Sequence, residues 1–171
     1  MGMPSKLKNL NIFLDGDTMA GIATSLTQPK LTRKMEAFRA GGMGGAAHID
    51  FGLDDDALKV EWTCGGYVKE ILKQLGASTV DGVQLRFMGA YQRDNTGEVD
   101  SVEIVIRGRH SEIDRGEAKV GEDTEWKIST NCVYYKETIN GEVLVEHDVF
   151  NLISMIGGVD TSEAFRRALG M

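Results

Sequence analysis

The sequence predicts a mainly β protein, an antiparallel sandwich or barrel with one packed α-helix and a short helical C-terminus. Three observations carry this. Glycine is abundant, at 21 of 171 residues against 2 prolines, as a chain with many tight turns and bulges requires. Several segments alternate apolar and polar residues with a period of two, clearest where Leu58, Val60 and Trp62 interleave with Lys59, Glu61 and Thr63. Turn dipeptides separate such segments, at Asp15-Gly16 and Asn140-Gly141 above all.

In chain order, Asn11–Leu14 and Thr18–Leu26 flank Asp15-Gly16 and read as a hairpin. Pro29 marks an edge or break, after which 31–38 is expected to be extended. The segment 40–47, AGGMGGAA, is a loop by composition, and His48–Leu53 resumes a strand that Asp54–Asp56 turns. Val68, Ile71, Leu72 and Leu75 fall at i, i+3, i+4 and i+7, so 67–75 is expected to be a helix with one apolar stripe, ended by Gly76. Val83–Gln92 and Val99–Ile113 flank the loop 94–97, with Val102, Ile104 and Ile106 on one face and Ser101, Glu103, Arg107 and Arg109 on the other. After an acidic connection, 124–138 is a long strand with Trp126, Ile128, Cys132 and Tyr134 on one side, and 142–149 returns from Asn140-Gly141. Asp160 followed by Glu163 resembles a capping box that opens a helix running to Leu169.

Length and charge bound the function. The chain is expected to form one domain over 1–171, with 1–9 as an N-terminal arm and 39–57 as a loop region used in assembly. The net charge of −7 argues against a protein that grips nucleic acid, which needs a basic stripe to neutralise phosphates. It is compatible with a wall past which DNA slides. The N-terminal segment has no apolar run of signal-peptide length, and Lys6 stands where myristoylation wants Ser or Thr, so a soluble, unanchored protein is expected. Cys64 and Cys132 lie in apolar-patterned segments and read as buried thiols, although spacing alone leaves a disulfide between them open.

No catalytic constellation emerges, and no cofactor or metal is expected. His48, His110 and His147 have no paired ligand spacing. Gly42-Met43-Gly44 followed by Ala47 matches a loose dinucleotide fingerprint, but a strand pattern follows where pyrophosphate binding needs a helix. Asp54–Asp56 lacks the spaced acids of a calcium loop. Arg107, Arg109 and Arg115 are interleaved with Glu112, Asp114 and Glu117, a pattern of ion pairs more than of nucleic-acid contacts.

Five blocks in series, PKLTRKMEAFRAGGMGG (29–45), GLDDDAL (52–58), RFMGAYQRDNTGE (86–98), RGRHSEIDRGEAKVGEDTEWK (107–127) and the closing GGVD…FRRALG (157–170), resemble the major tail tube protein family of contractile-tailed phages, related to the tube subunit of R-type pyocins. Gly157 departs from the asparagine expected before Gly-Val-Asp. The resemblance implies a β-sandwich or barrel of the tail-tube type and a structural, non-enzymatic subunit. It implies homo-hexameric rings that stack into a tube for DNA ejection, inside a sheath and between baseplate and tail terminator proteins. It places the protein in the virion, assembled in the host cytoplasm, with DNA in passage and not specifically bound.

Two sets of residues become site candidates. Arg39, Gly41, Gly42, Met43, Gly44 and Gly45, with the turn Asp54, Asp55 and Asp56, are expected to contact the next ring, as a flexible loop that orders on assembly. The polar strand faces carrying Lys34, Glu36, Lys59, Glu61, Arg86, Glu103 and Arg107 are expected to line the lumen, with the polar side of the helix 67–75 turned to the sheath. The alternatives are the tube subunit of a headless pyocin-like particle or a secretion-type machine, and a β-sandwich binding module with the glycine-rich loop as its site.

Overall fold

The computed structural model describes residues 1–171. Its first half runs β1 (Lys6–Leu14), β2 (Asp17–Thr18), β3 (Ala23–Thr27), β4 (Arg33–Phe38), β5 (Ala47–Leu53), β6 (Lys59–Gly65) and α1 (Lys69–Gln74). The second half runs β7 (Val83–Gln92), β8 (Val99–Asp114), β9 (Glu125–Ile139), β10 (Glu142–Asp148), β11 (Ile153–Ile156), β12 (Val159–Asp160) and α2 (Glu163–Leu169). The mainly antiparallel β class predicted from the sequence is what forms.

Ten strands make one curled sheet in the order β12-β11-β10-β9-β8-β7-β1-β2, with β6 and β3 joined to β9. β4 and β5 pair only with each other. β9 is the divide. Along one side it pairs with β8 over nearly its whole length, while its other side takes β6 from Glu125 to Asn131 and β10 from Tyr134 to Ile139. The concave side holds the core, with Trp62, Trp126, Ile128, Val60, Leu85 and Ile12 almost wholly removed from water. Burying such side chains stabilises the fold by about 1.5–3 kcal/mol each.

The phase of β9 changes midway. Trp126, Ile128, Thr130 and Cys132 point inward, then Val133 is skipped in the ladder, and Tyr135, not the expected Tyr134, enters the core. The bulge faces Gly108, where an added Cβ would lie 1.9 Å from the Asn131 carbonyl oxygen. The displaced Val133 carbonyl is satisfied by the Val149 amide at 3.0 Å. A second skip at Ser111 lets Ile113 rejoin the core side of β8 opposite Ile128.

Other expectations are corrected in detail. The segment 18–26 is not one strand: the chain turns at Met19–Ile22, so β2 stays on β1 while β3 crosses to β6. Residues 6–9 of the expected arm are already in β1, paired with β7. The helix is shorter than its apolar stripe: Ile71 is buried and Val68 and Leu72 pack on the core, but Leu75 is the C-cap and lies exposed. No capping box forms at the last helix. Ser162 is its N-cap, and Asp160 instead accepts from the Ser162 amide and pairs with Arg166. The β11–β12 hairpin lacked a sequence signal other than Gly157-Gly158, both at positive φ (60° and 82°). An asparagine or a glycine suits that conformation at 157, so the departure there keeps the turn.

Cys64 is in register with Trp126, six positions along β9 from Cys132, or roughly 20 Å at the rise of a strand. That exceeds the reach of a disulfide, and both thiols are free and buried. Burial pushes the Cys132 thiol up to about 12.

α1 is docked by a buried polar chain. His110 Nε2 lies 3.0 Å from Gln74 Oε1, and its Nδ1 lies 2.8 Å from Thr130 Oγ1. The Gln74 amide nitrogen donates to Asp15, so Gln74 Oε1 accepts, Nε2–H of His110 donates, and Nδ1 accepts from the Thr130 hydroxyl. Burial lowers the His110 pKa to about 4, against a smaller upward pull from Asp15. Between about pH 6.5 and 4 the unfolded chain binds a proton that the native chain refuses. The stability this neutral imidazole contributes is therefore complete above pH 6.5 and lost as pH falls through that window, by roughly 3 kcal/mol in all. Denaturant titrations from pH 7 to 4 are expected to show this decline, and His110→Gln is expected to make it shallower, with buried His147 keeping its own share.

The Gly108 contact yields a second expectation. Gly108→Ala forces the β8 and β9 backbones apart and is expected to destabilise the subunit by about 3 kcal/mol, measured as a lower urea midpoint.

Candidate functional site

Two surfaces stand out. The first is the solvent side of the main sheet. On β7 and β8, Arg86 sits beside Val105, Gln84 beside Arg107 and Met88 beside Glu103, and the rows continue to Lys136, Tyr134 and Thr138 on β9. Cross-strand partners share a face, so Arg86, Glu103 and Arg107 form one contiguous patch. Arg86 pairs with Glu103 at 3.2 Å and lies over the Phe13 ring. Arg107 lies 4.9 Å from the Tyr134 ring centre, and the Tyr134 hydroxyl donates to Glu146 at 3.0 Å. Burial and that bond to Glu146 push the Tyr134 phenol up to about 12.

Lys59 and Glu61 also point to the solvent side, but across β9, where Lys59 neighbours Asn131 and Glu61 neighbours Ser129. Lys34 and Glu36 do not belong to this sheet at all, because β4 lies in the separate hairpin. The basic residues of the contiguous patch, Arg86, Arg107, Arg109 and Lys136, are matched by Glu103, Glu112, Glu146 and Asp148 on the same side. The acidic excess of the chain sits elsewhere, in turns and loops such as 54–56 and 117–125.

The second surface is the β4–β5 hairpin. Every residue of β4 and most of β5 is exposed, including Met35, Phe38, Ile49 and Phe51. Its strands pair from Arg33↔Leu53 to Phe38↔Ala47, and residues 39–46 form its tip. The candidates Arg39, Gly41, Gly42, Met43, Gly44 and Gly45 all lie at this tip. Asp54–Asp56 do not: they turn the chain at the base, where the Asp54 amide donates to Thr32 and the Ala57 amide to Asp54. The length of the strands, roughly 20 Å, separates the two groups. The region 39–57 is thus tip, strand and basal turn in succession.

The tip glycines are informative. Gly42 has φ +84°, which favours glycine, but Gly41, Gly44 and Gly45 have no left-handed φ and no atom within 4 Å of an added Cβ. Within the subunit nothing requires them to be glycine. Glycine also serves where a second backbone approaches closely, and here any such backbone belongs to another chain. The sequence flagged these glycines as loop formers, and only the open space around them separates the two readings.

At the hairpin base, Arg33 pairs with Asp50, whose carboxyl is held below the usual range by the Gly52 amide and by Arg33. His147 is buried beside this pair, and burial, with the nearby Arg33 charge, lowers its pKa. No group of three His, Cys, Asp or Glu side chains is placed to hold a metal ion, and no helix is long and apolar enough to cross a membrane.

If the tip glycines serve only an intermolecular contact, Gly44→Ala and Gly45→Ala leave the isolated subunit's stability within about 0.5 kcal/mol of wild type. Urea melts of monomeric protein check this, and a loss above about 1.5 kcal/mol would contradict it.

Comparison with known proteins gives these surfaces their context. The sequence model described as phage tail tube protein FII matches residues 4–170. The chain is 53% identical, over 172 residues and the full length of both chains, to the tail tube protein of Escherichia phage P2. It is 39% identical over 153 residues to the major tail tube protein of Serratia phage KSP20, covering 90% of this chain and 88% of that one. In fold it is similar to a chain of the cryo-EM structure of the anti-feeding prophage baseplate, 6-fold symmetrised, with a TM-score of 0.53, 7% identity, and coverage of 81% of this chain and 97% of the other. A sequence match over nearly the whole chain leads to one conclusion: the chain belongs to the phage tail tube protein FII family.

Proposed function

We propose that the protein is the repeating subunit of the inner tube of a contractile phage tail, assembling into stacked hexameric rings through which DNA is ejected. The observation that carries this beyond family membership is the β4–β5 hairpin. A two-stranded hairpin that packs only at its base, as this one does through Leu53, is marginal in water. This one exposes apolar side chains on a glycine-tipped projection, which suits an element completed by the next ring. The six-fold symmetry named for the anti-feeding prophage baseplate agrees with a ring of six.

In this reading the patch of Arg86, Glu103 and Arg107, continued by Lys59 and Glu61 across β9, faces the lumen. Its charges neutralise one another, so a polyanion meets neither a basic stripe that would hold it nor a strongly repelling wall. Passage without specific binding follows. Lys34 and Glu36 instead travel with the hairpin into the contacts between subunits. The outward side of α1, with Lys69, Glu70 and Lys73, is left to meet the sheath, while baseplate and tail terminator proteins bound the two ends of the tube. The subunit performs no bond chemistry. Its work is mechanical, and assembly in the host cytoplasm precedes incorporation in the virion.

Size-exclusion chromatography with light scattering, followed by negative-stain electron microscopy of concentrated protein, tests the proposal. Stacked rings or tubes with a central hole are expected. A strictly monomeric species, even with baseplate components added, would contradict it and favour a binding module.

A further inference from the structure

A groove of about 690 Å³ lies between the base of the β4–β5 hairpin, the β10–β11 turn and α2. Phe51, Leu53, Val149, Leu152, Ile153 and Phe165 supply its apolar lining. Two features mark it as an incomplete interface. First, α2 has seven residues and buries none of them, with Phe165 66% and Leu169 68% exposed. A helix this short does not stand by its own propensity and draws its stability from packing. Arg166 pins it, donating to Asp160 and to the Leu152 carbonyl at 2.8 Å, but its apolar side meets solvent. Second, the charged groups in and around the groove are already satisfied: Arg33 holds Asp50, Arg166 holds Asp160, and Asp148 accepts from Asn151 at 2.7 Å. The groove therefore offers apolar contact, and its charged groups already have hydrogen-bonded partners within the chain.

We propose that this groove receives the β4–β5 hairpin tip of a second copy of the chain. This rests on the reading of the protein as a self-assembling tube subunit and names the surface on which its hairpin lands. The tip has the matching chemistry. Beyond Arg39, which sits where β4 ends, the rest of the tip (40–46) carries no charge, its only large side chain is Met43, and Gly41, Gly44 and Gly45 leave their backbone open to close approach. A charge at this apex would leave an unpaired ion in an apolar groove, at a cost that excludes it. The tip cannot occupy its own groove, because β pairing from Arg33↔Leu53 to Phe38↔Ala47, broken only by one bulge at 51–52, holds it roughly 20 Å away. Knob and hole on one chain, kept apart by a stiff strand pair, make a head-to-tail contact that propagates from copy to copy.

Cysteine cross-linking in assembled tubes tests this, since Cys64 and Cys132 are buried and do not compete. Met43→Cys/Phe165→Cys tubes under mild oxidation are expected to give a ladder of multimers on a non-reducing gel. Co-assembled Met43→Cys and Phe165→Cys single variants should stop at a dimer, and either variant alone should give monomer. Phe165→Asp is expected to keep the monomer's circular dichroism melt and lose tubes. Tubes that form without the ladder, a Met43→Cys dimer on its own, or tubes that persist in Phe165→Asp each overturn the groove assignment while leaving the tube reading intact. Wild-type protein that never forms tubes overturns the tube reading, and this one with it.

Discussion

The backbone contact between Gly108 and Asn131 is the constraint on which the rest of the structure depends. It allows β8 and β9 to close on each other at the Val133 bulge, and that bulge reverses which residues of β9 face inward. Before it, β9 contributes Trp126, Ile128 and Thr130 to a core shared with β6. After it, Tyr135 faces inward, while Tyr134 turns out to meet Arg107 and Glu146. Without the reversal, β6 and β10 would not succeed one another on the same edge of β9 with the core on one side and a continuous polar face on the other. Bulges serve in this way to re-aim side chains and increase local twist.

The molecule divides its surface accordingly. The polar side of the sheet is internally neutralised, with arginines spent on carboxylates and aromatic rings. Many of the exposed apolar groups, among them Met35, Phe38, Ile49, Phe51, Phe165 and Leu169, lie on the hairpin and on α2. A monomer designed to stay alone would bury or dilute such groups. A subunit that finishes folding in an assembly keeps them available, and in the proposed tube this division would set which surface stays wet.

Much of this was legible in the sequence, and for physical reasons. Strands with one apolar face announce themselves, as Leu58–Trp62 and Val102–Ile106 do, and Asn140-Gly141 marks a turn because both residues take positive φ (49° and 86°). That Glu103 and Arg107 share a face followed from alternation, but that Arg86 joins them needed the β7–β8 register. The bulge at Val133 did not, since strand periodicity is equally good in either phase and only the Gly108 contact decides between them. The separation of the tip from Asp54–Asp56 was hidden because nearness in sequence says nothing about a hairpin with stiff arms between them. The groove was invisible because its lining comes from β5, β10–β11 and α2, which no local pattern joins.

The central claim is that the face bearing Arg86, Glu103 and Arg107 is the one left open to the lumen when the subunits stack. A helical cryo-EM reconstruction of assembled tubes at side-chain resolution tests it most directly. The account predicts those three side chains on the inner wall with Lys136 and Glu146 beside them, and Phe165 buried between copies. A reconstruction with that patch on the outer wall, or sealed between subunits, would contradict it.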